Sequence, residues 1–207
     1  MKPKIIVKMK SLRNKVDDSI ETCLQEITKV ILSATKLYPL DWDKAYDKIE
    51  DLFYNFLVEV YDIVNAHLKA TYKDIPEFDV KDIFELTYDI DGKHITERLK
   101  EYWNEGFLRL NSNEKNLINV QNYLINMYDR ILFTESRVVE SKLKRIKRPL
   151  DATMLVIESG CDKCEGGTYP PDEDIDLPPF HPYCNCTYYY ETADTDDVED
   201  LDLEEDL

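Results

Sequence analysis

The stretch Gly160–Thr187, GCDKCEGGTYPPDEDIDLPPFHPYCNCT, decides how this chain reads. It holds four of the five cysteines, Cys161, Cys164, Cys184 and Cys186, together with His181. Cys161 and Cys164 make a CxxC turn. Gly166 and Gly167 behind it can adopt the left-handed backbone that lets amide N–H groups point at thiolate sulfurs. Seventeen residues beyond Cys164, the run His181-Pro182-Tyr183-Cys184-Asn185-Cys186 brings three more donors within six residues. Two such halves supply more than the four ligands of a tetrahedral Zn2+ site, and thiolate and imidazole donors favour zinc over harder cations.

Five donors compete for four places. If Cys184 and Cys186 lie on an extended strand they point to the same face and both reach one ion, with His181 orienting a ligand. In the other arrangement His181 ligates and one of these two cysteines is spare. Free thiols or air-formed disulfides are the competing reading, although five cysteines cannot all pair within one chain and a reducing compartment disfavours disulfides. The 16 residues between the halves, stiffened by Pro170, Pro171, Pro178 and Pro179, are too few and too polar to hold a core. Such a unit needs a metal clip, whose binding energy goes into folding, so the expected role of the zinc is structural.

A catalytic zinc would keep one position open for water, with a general base beside it. Glu158, Glu165 and Asp172 are near in sequence, but acids are abundant throughout the chain. GxSxG, P-loop, dinucleotide and HExxH signatures are missing, and the deaminase order fails because His181 follows the CxxC pair and lacks the glutamate. The expectation is a protein that is not an enzyme.

Working outward, Met154-Leu155-Val156-Ile157 reads as a buried strand, and Pro149 closes a long helix before it. That helix is predicted from a Ser112 cap to about Arg148, with Leu117, Val120, Leu124, Met127, Ile131, Val138 and Leu143 inward. Lys142, Lys144, Arg145, Lys147 and Arg148 crowd its end, where cations complement the helix dipole; the bland reading is a solvated terminus and the functional one a phosphate or acidic-partner contact. Upstream, a helix over about Ile95–Phe107 has Leu99, Tyr102, Trp103 and Phe107 on one side. Alternation of Phe84, Leu86, Tyr88 and Ile90 before the Asp91-Gly92 turn signal predicts a short extended piece. Two further helices are predicted over Ser11–Tyr38 and, from an Asp41 cap, to about Tyr72. Cys23 reads as a small buried hydrophobe and His67 as a structural or surface histidine.

The chain has 26 Lys and Arg against 43 Asp and Glu, and ten of those acids lie after Tyr190 with no base among them. The body is thus acidic even without this tail, which argues against general nucleic-acid binding. A hydrophobic fraction of 43% is enough for a real core. Around Lys2, Lys4, Lys8 and Lys10 the apolar run Ile5-Ile6-Val7 is far too short for a signal peptide or membrane span, so the expectation is a soluble cytosolic protein without membrane contact. The predicted fold is mainly α: a long-helix body, a small C-terminal α+β zinc-binding module, and an acidic disordered tail. Its predicted divisions are a helical region over 1–110, the long helix with strand and zinc-clasped module over 111–190, and the tail over 191–207.

The order Thr134-Glu135-Ser136-Arg137 late in a helix, a strand, Cys161-x-x-Cys164 with Gly166-Gly167, then Pro178-Pro179-Phe180-His181-Pro182-x-Cys184-x-Cys186-Thr187 resembles the C-terminal domain of phage Mu protein F-like minor head proteins. The resemblance covers about Asp129 to Tyr189, and more loosely Tyr88 to Trp103 around Asp91-Gly92-Lys93. Asn185 stands where that family commonly has Arg, and Tyr183 where it often has Asn; neither change touches a donor. The resemblance implies a low-copy head morphogenesis protein, present in the host cytoplasm during assembly and then inside the virion head. Portal protein would be its partner, with major capsid or scaffold protein and packaged DNA as further contacts. Kept beside it are a zinc-stabilised DNA-binding module using Lys142 to Arg148, and a metal-dependent hydrolase.

Overall fold

A computed structural model describes residues 2–37, 41–77, 83–87, 93–111, 116–180 and 184–193, with side chains from residue 10 onward. Four helices, α1 (Lys2–Leu37), α2 (Trp42–Thr71), α3 (Ile95–Asn111) and α4 (Leu117–Ile146), precede three strands, β1 (Ala152–Glu158), β2 (Gly167–Tyr169) and β3 (Thr187–Thr192). The protein is mainly helical, with a small C-terminal sheet and a cysteine cluster beside it.

Each long helix forms because its apolar residues recur every three or four positions and find a partner. On α1 the buried stripe is Leu12, Val16, Ile20, Cys23, Ile27, Ile31 and Ala34, and on α2 it is Ile49, Phe53, Phe56, Val60, Val64 and Leu68. α1 and α4 run antiparallel: Arg137 Nη2 meets Asp17 Oδ1 at 2.9 Å near one end, and Gln121 Nε2 meets Thr35 Oγ1 at 2.8 Å near the other. α3 closes the bundle through Trp103, whose ring stacks on Trp42 at 4.1 Å and whose Nε1 donates to the Trp42 carbonyl.

The antiparallel sheet has the order β2-β1-β3. Leu155, Ile157, Tyr188 and Tyr190 belong to the same buried cluster as the helices. The Tyr188 hydroxyl donates to Ser141 O on α4, and Tyr190 N donates to the Tyr72 hydroxyl at 3.1 Å. The sheet therefore shares the helical core rather than standing apart from it.

Several boundaries differ from the sequence expectation for identifiable reasons. α1 begins at Lys2, well before Ser11. Asp41 precedes α2 but does not cap it with its side chain: its backbone is left-handed, with φ 60°, and its carboxylate meets Lys44 Nζ at 3.1 Å. Ile83–Leu86 is a 3-10 turn, not extended, while Tyr88, Ile90, Asp91 and Gly92 lie outside the described residues. α3 continues past Phe107 to Asn111, leaving Phe107 37% exposed at its end. Ser112 lies outside the described residues, and the cap of α4 is Asn116, whose side chain accepts from Ile118 N at 3.2 Å. Leu117, expected inward, is 37% exposed because it sits in the first turn. At the other end α4 stops at Ile146, two residues before Arg148. β3 runs on to Thr192, into the expected tail of 191–207, and the rest of that tail from 194 to 207 lies outside the described residues. No described helix is long and apolar enough to cross a membrane.

Candidate metal centre

β1 delivers the chain to Ser159 and Gly160, and the Cys161–Cys164 turn follows, closed by Cys164 N donating to Cys161 O at 3.3 Å. Ser159 Oγ lies 2.9 Å from Cys161 O and 2.6 Å from Cys164 O, which ties the turn to the end of the strand. The second half approaches just before β3. Its arrival requires Gly160: a Cβ there would lie 2.1 Å from Asn185 O. Across this close approach Gly160 N donates to Cys186 Sγ at 3.4 Å.

Convergence of the two halves brings four sulfurs, those of Cys161, Cys164, Cys184 and Cys186, within 4.8 Å of one another. Cys161 and Cys164 are 3.4 Å apart, Cys161 and Cys186 3.7 Å, and Cys164 and Cys184 4.0 Å. A tetrahedral ion with metal–sulfur bonds of about 2.3 Å requires sulfurs about 3.8 Å apart, so four cysteines at this spacing could hold a metal ion. All four cysteines are free of disulfides. Cys184 and Cys186 are buried, and Cys161 and Cys164 are half-buried at the rim. Both cysteines of the CxC half thus reach the cluster, as an extended segment allows. His181 lies outside the described residues.

Electrostatics fits the same reading. Burial raises the Cys164 thiol above the ordinary range, and its neighbours Cys161, Cys186 and Cys184 add to that. Burial also dominates at Cys186 and raises it. At Cys184 burial pushes upward too, but hydrogen bonds from the Phe180 and Cys186 backbone outweigh it and the thiol is lowered. Sulfurs this close can all be thiolates only around a cation, which supplies the attraction their neighbours lack.

The remaining sequence candidates sit elsewhere. Cys23 is buried in the helical core, its thiol 3.7 Å from Leu52 O, as its stripe position predicted. His67 is half-buried on α2, with its Nε2 3.5 Å from Thr71 Oγ1. Glu158, Glu165 and Asp172 do not join the sulfur cluster.

The basic run at the end of α4 fits the solvated-terminus reading only in part: Arg145 and Arg148 are exposed, but two of its lysines are not. Lys144 and Lys147 are each only 3% exposed. Lys144 Nζ donates to Glu140 at 2.5 Å and to Thr187 Oγ1 and Tyr188 O at 3.2 Å, while Lys147 Nζ donates to Asn65 Oδ1 at 2.8 Å. Lys142 donates to Thr87 O, Arg145 to Asp174 at 2.9 Å, and Arg148 to Pro171 O at 3.0 Å. Lys144, Arg145 and Arg148 thus tie the module to α4, while Lys142 and Lys147 tie α4 to the loop before α3 and to α2. Glu140 is buried between Lys144 and Arg137 and pairs with both.

Sequence reasoning missed the residues that support the cluster from outside it: Ser159, Arg13 and Lys144. Arg13 donates through Nη2 to Asn185 O from 172 positions away, a pairing with no local signal. Compared with known proteins, the chain matches no family model, no curated protein and no solved structure.

Proposed function

We propose that this is a minor head protein of a tailed phage, a low-copy component of the procapsid that binds the portal, in which a structural zinc ion clasps the C-terminal module to the helical body. The observation that carries the reading is the convergence of Cys161, Cys164, Cys184 and Cys186 on one point, with the spacing a four-sulfur ion requires. Around it stands the order of elements on which the resemblance to the phage Mu protein F-like family rests: the Thr134–Arg137 run in α4, then β1, then the two cysteine pairs. Arg98, in the more loosely resembling segment, forms a buried 2.5 Å ion pair with Glu135 of that run, so the two segments are joined inside the core.

Zinc suits four thiolates, and four thiolates complete its tetrahedron, leaving no position for a reacting water. The role is therefore structural and the protein is not an enzyme. Against a DNA-binding module stands the burial of Lys144 and Lys147, and the engagement of Lys142, Arg145 and Arg148 with other parts of the chain. The acidic segment after Tyr190 would be repelled by packaged DNA and attracted to basic protein surfaces, in keeping with portal, capsid or scaffold contacts. The test is affinity capture of the tagged chain from a lysate containing procapsids. Portal subunits should be recovered with it, and their absence would contradict the assignment.

A further inference from the structure

We infer that Arg13, on the first described stretch of α1, positions the metal loop and offsets the charge of the centre, so that metal loading and the seating of α1 are coupled. The inference rests on the reading of the four cysteines as a metal site. An ion held by four thiolates leaves a net charge of about −2 on the centre, within a chain whose formal charge is already −17. Such a centre needs cations close by.

Lys144 and Arg137 line a small cavity together with Cys186, Arg13 reaches the same loop, and the first two are already matched. Lys144 is paired with Glu140 at 2.5 Å, and Arg137 with Asp17 at 2.9 Å and Glu140 at 3.2 Å. Among the described residues Arg13 makes no ion pair. Its Nη2 donates to Asn185 O, the carbonyl lying between Cys184 and Cys186, and its Nε is buried without a partner. That carbonyl is gripped from two sides, because Gly160 packs against it where no Cβ would fit. Gly160 N in turn donates to Cys186 Sγ. Arg13 therefore fixes the peptide that aims two of the four ligands while bringing to them a positive charge that makes no direct ion pair among the described residues and reaches Glu140 only through space.

The link runs in both directions. Leu12, next to Arg13, is the first described side chain of α1 in the core. Losing the metal would free the Asn185 carbonyl and release the anchor of this end of the helix.

The test uses the full zinc-loaded chain challenged with a chelator. Arg13→Gln keeps a donor without the charge, Arg13→Lys keeps the charge, and Asp17→Asn loosens α1 from α4 without touching the loop. Groups that hydrogen-bond around metal ligands typically contribute at least tenfold in affinity, so Arg13→Gln should release zinc about tenfold faster. Arg13→Lys should restore most of the retention, and Asp17→Asn should match the unmodified protein. Cobalt(II) in place of zinc should give the thiolate spectrum of a four-sulfur site in every variant, showing that the site is still folded. Stripping the metal should speed amide exchange over residues 10–16. Wild-type release from Arg13→Gln, no rescue by Arg13→Lys, or equal acceleration by Asp17→Asn would overturn the inference while leaving the metal site standing. A chain that binds neither zinc nor cobalt would overturn the metal reading itself, and the inference with it.

Discussion

Gly160 is the residue with least room for change. A methyl group there would collide with the Asn185 carbonyl, and backbone on both sides gives no flexible side chain to move aside. Gly160→Ala should cost about 1–3 kcal/mol, the usual penalty for overpacking a tight contact, and should weaken metal retention. Thermal melting and chelator challenge would show both effects, and a variant as stable as the parent would contradict the tight junction. Cys23 lies apart from the clustered cysteines. Burial, with Glu59 and Glu26 nearby, pushes its thiol up to about 12, so it stays protonated and shielded at neutral pH. With the metal stripped, a thiol reagent at pH 8 should modify the half-buried rim cysteines Cys161 and Cys164 first and Cys23 only on unfolding; five equally fast thiols would refute this. The cluster was legible at this scale because CxxC and CxC are local spacings. Arg13 was not, because nothing within a few residues of it announces a partner near the other end of the chain.

At the scale of the element, α4 carries the most information. Its buried Glu140 feels burial, which would raise the carboxyl, but Lys144 and Arg137 outweigh that and hold it at about 2, below the ordinary 4.5. The folded state therefore gains stability from this carboxylate above about pH 4.5 and loses it as the pH falls toward 2. Glu140→Gln should destabilise by about 3–5 kcal/mol at neutral pH, because buried Lys144 loses its carboxylate and buried Arg137 loses one of its two. With metal removed from both proteins, the gap measured by urea unfolding should narrow between pH 4.5 and 2; a gap that does not change with pH would contradict the pairing. At the start of the same helix, Asn116→Ala should cost about 1 kcal/mol, read as a lower melting temperature, through loss of the cap to Ile118 N. Periodicity made α4 legible but not its ends. The basic run looked solvated because the burial of Lys144 and Lys147 depends on β3 and α2, which no helical pattern reveals. Asp41 had the right side chain for a cap and the wrong backbone. Phe84 and Leu86 alternated over too few residues to separate a strand from a 3-10 turn.

For the whole molecule, a mainly helical body with a small C-terminal sheet and cysteine module was legible, since long apolar stripes and paired cysteines both survive without tertiary knowledge. Less legible was how far the two parts merge. Alternation in β3 is masked by the run Tyr188-Tyr189-Tyr190, and only the fold shows that Tyr188 and Tyr190 enter the helical core while Tyr189 is buried outside that cluster. Because of that merging, a metal held by the four cysteines would clasp the entire protein rather than a loop alone. The most direct test is elemental analysis of the chain purified under reducing conditions, followed by thermal melting before and after chelation. One zinc ion per chain and a clear drop in melting temperature on its removal are predicted. A metal-free protein whose melting is unchanged when Cys161, Cys164, Cys184 and Cys186 are all replaced by serine would contradict the account.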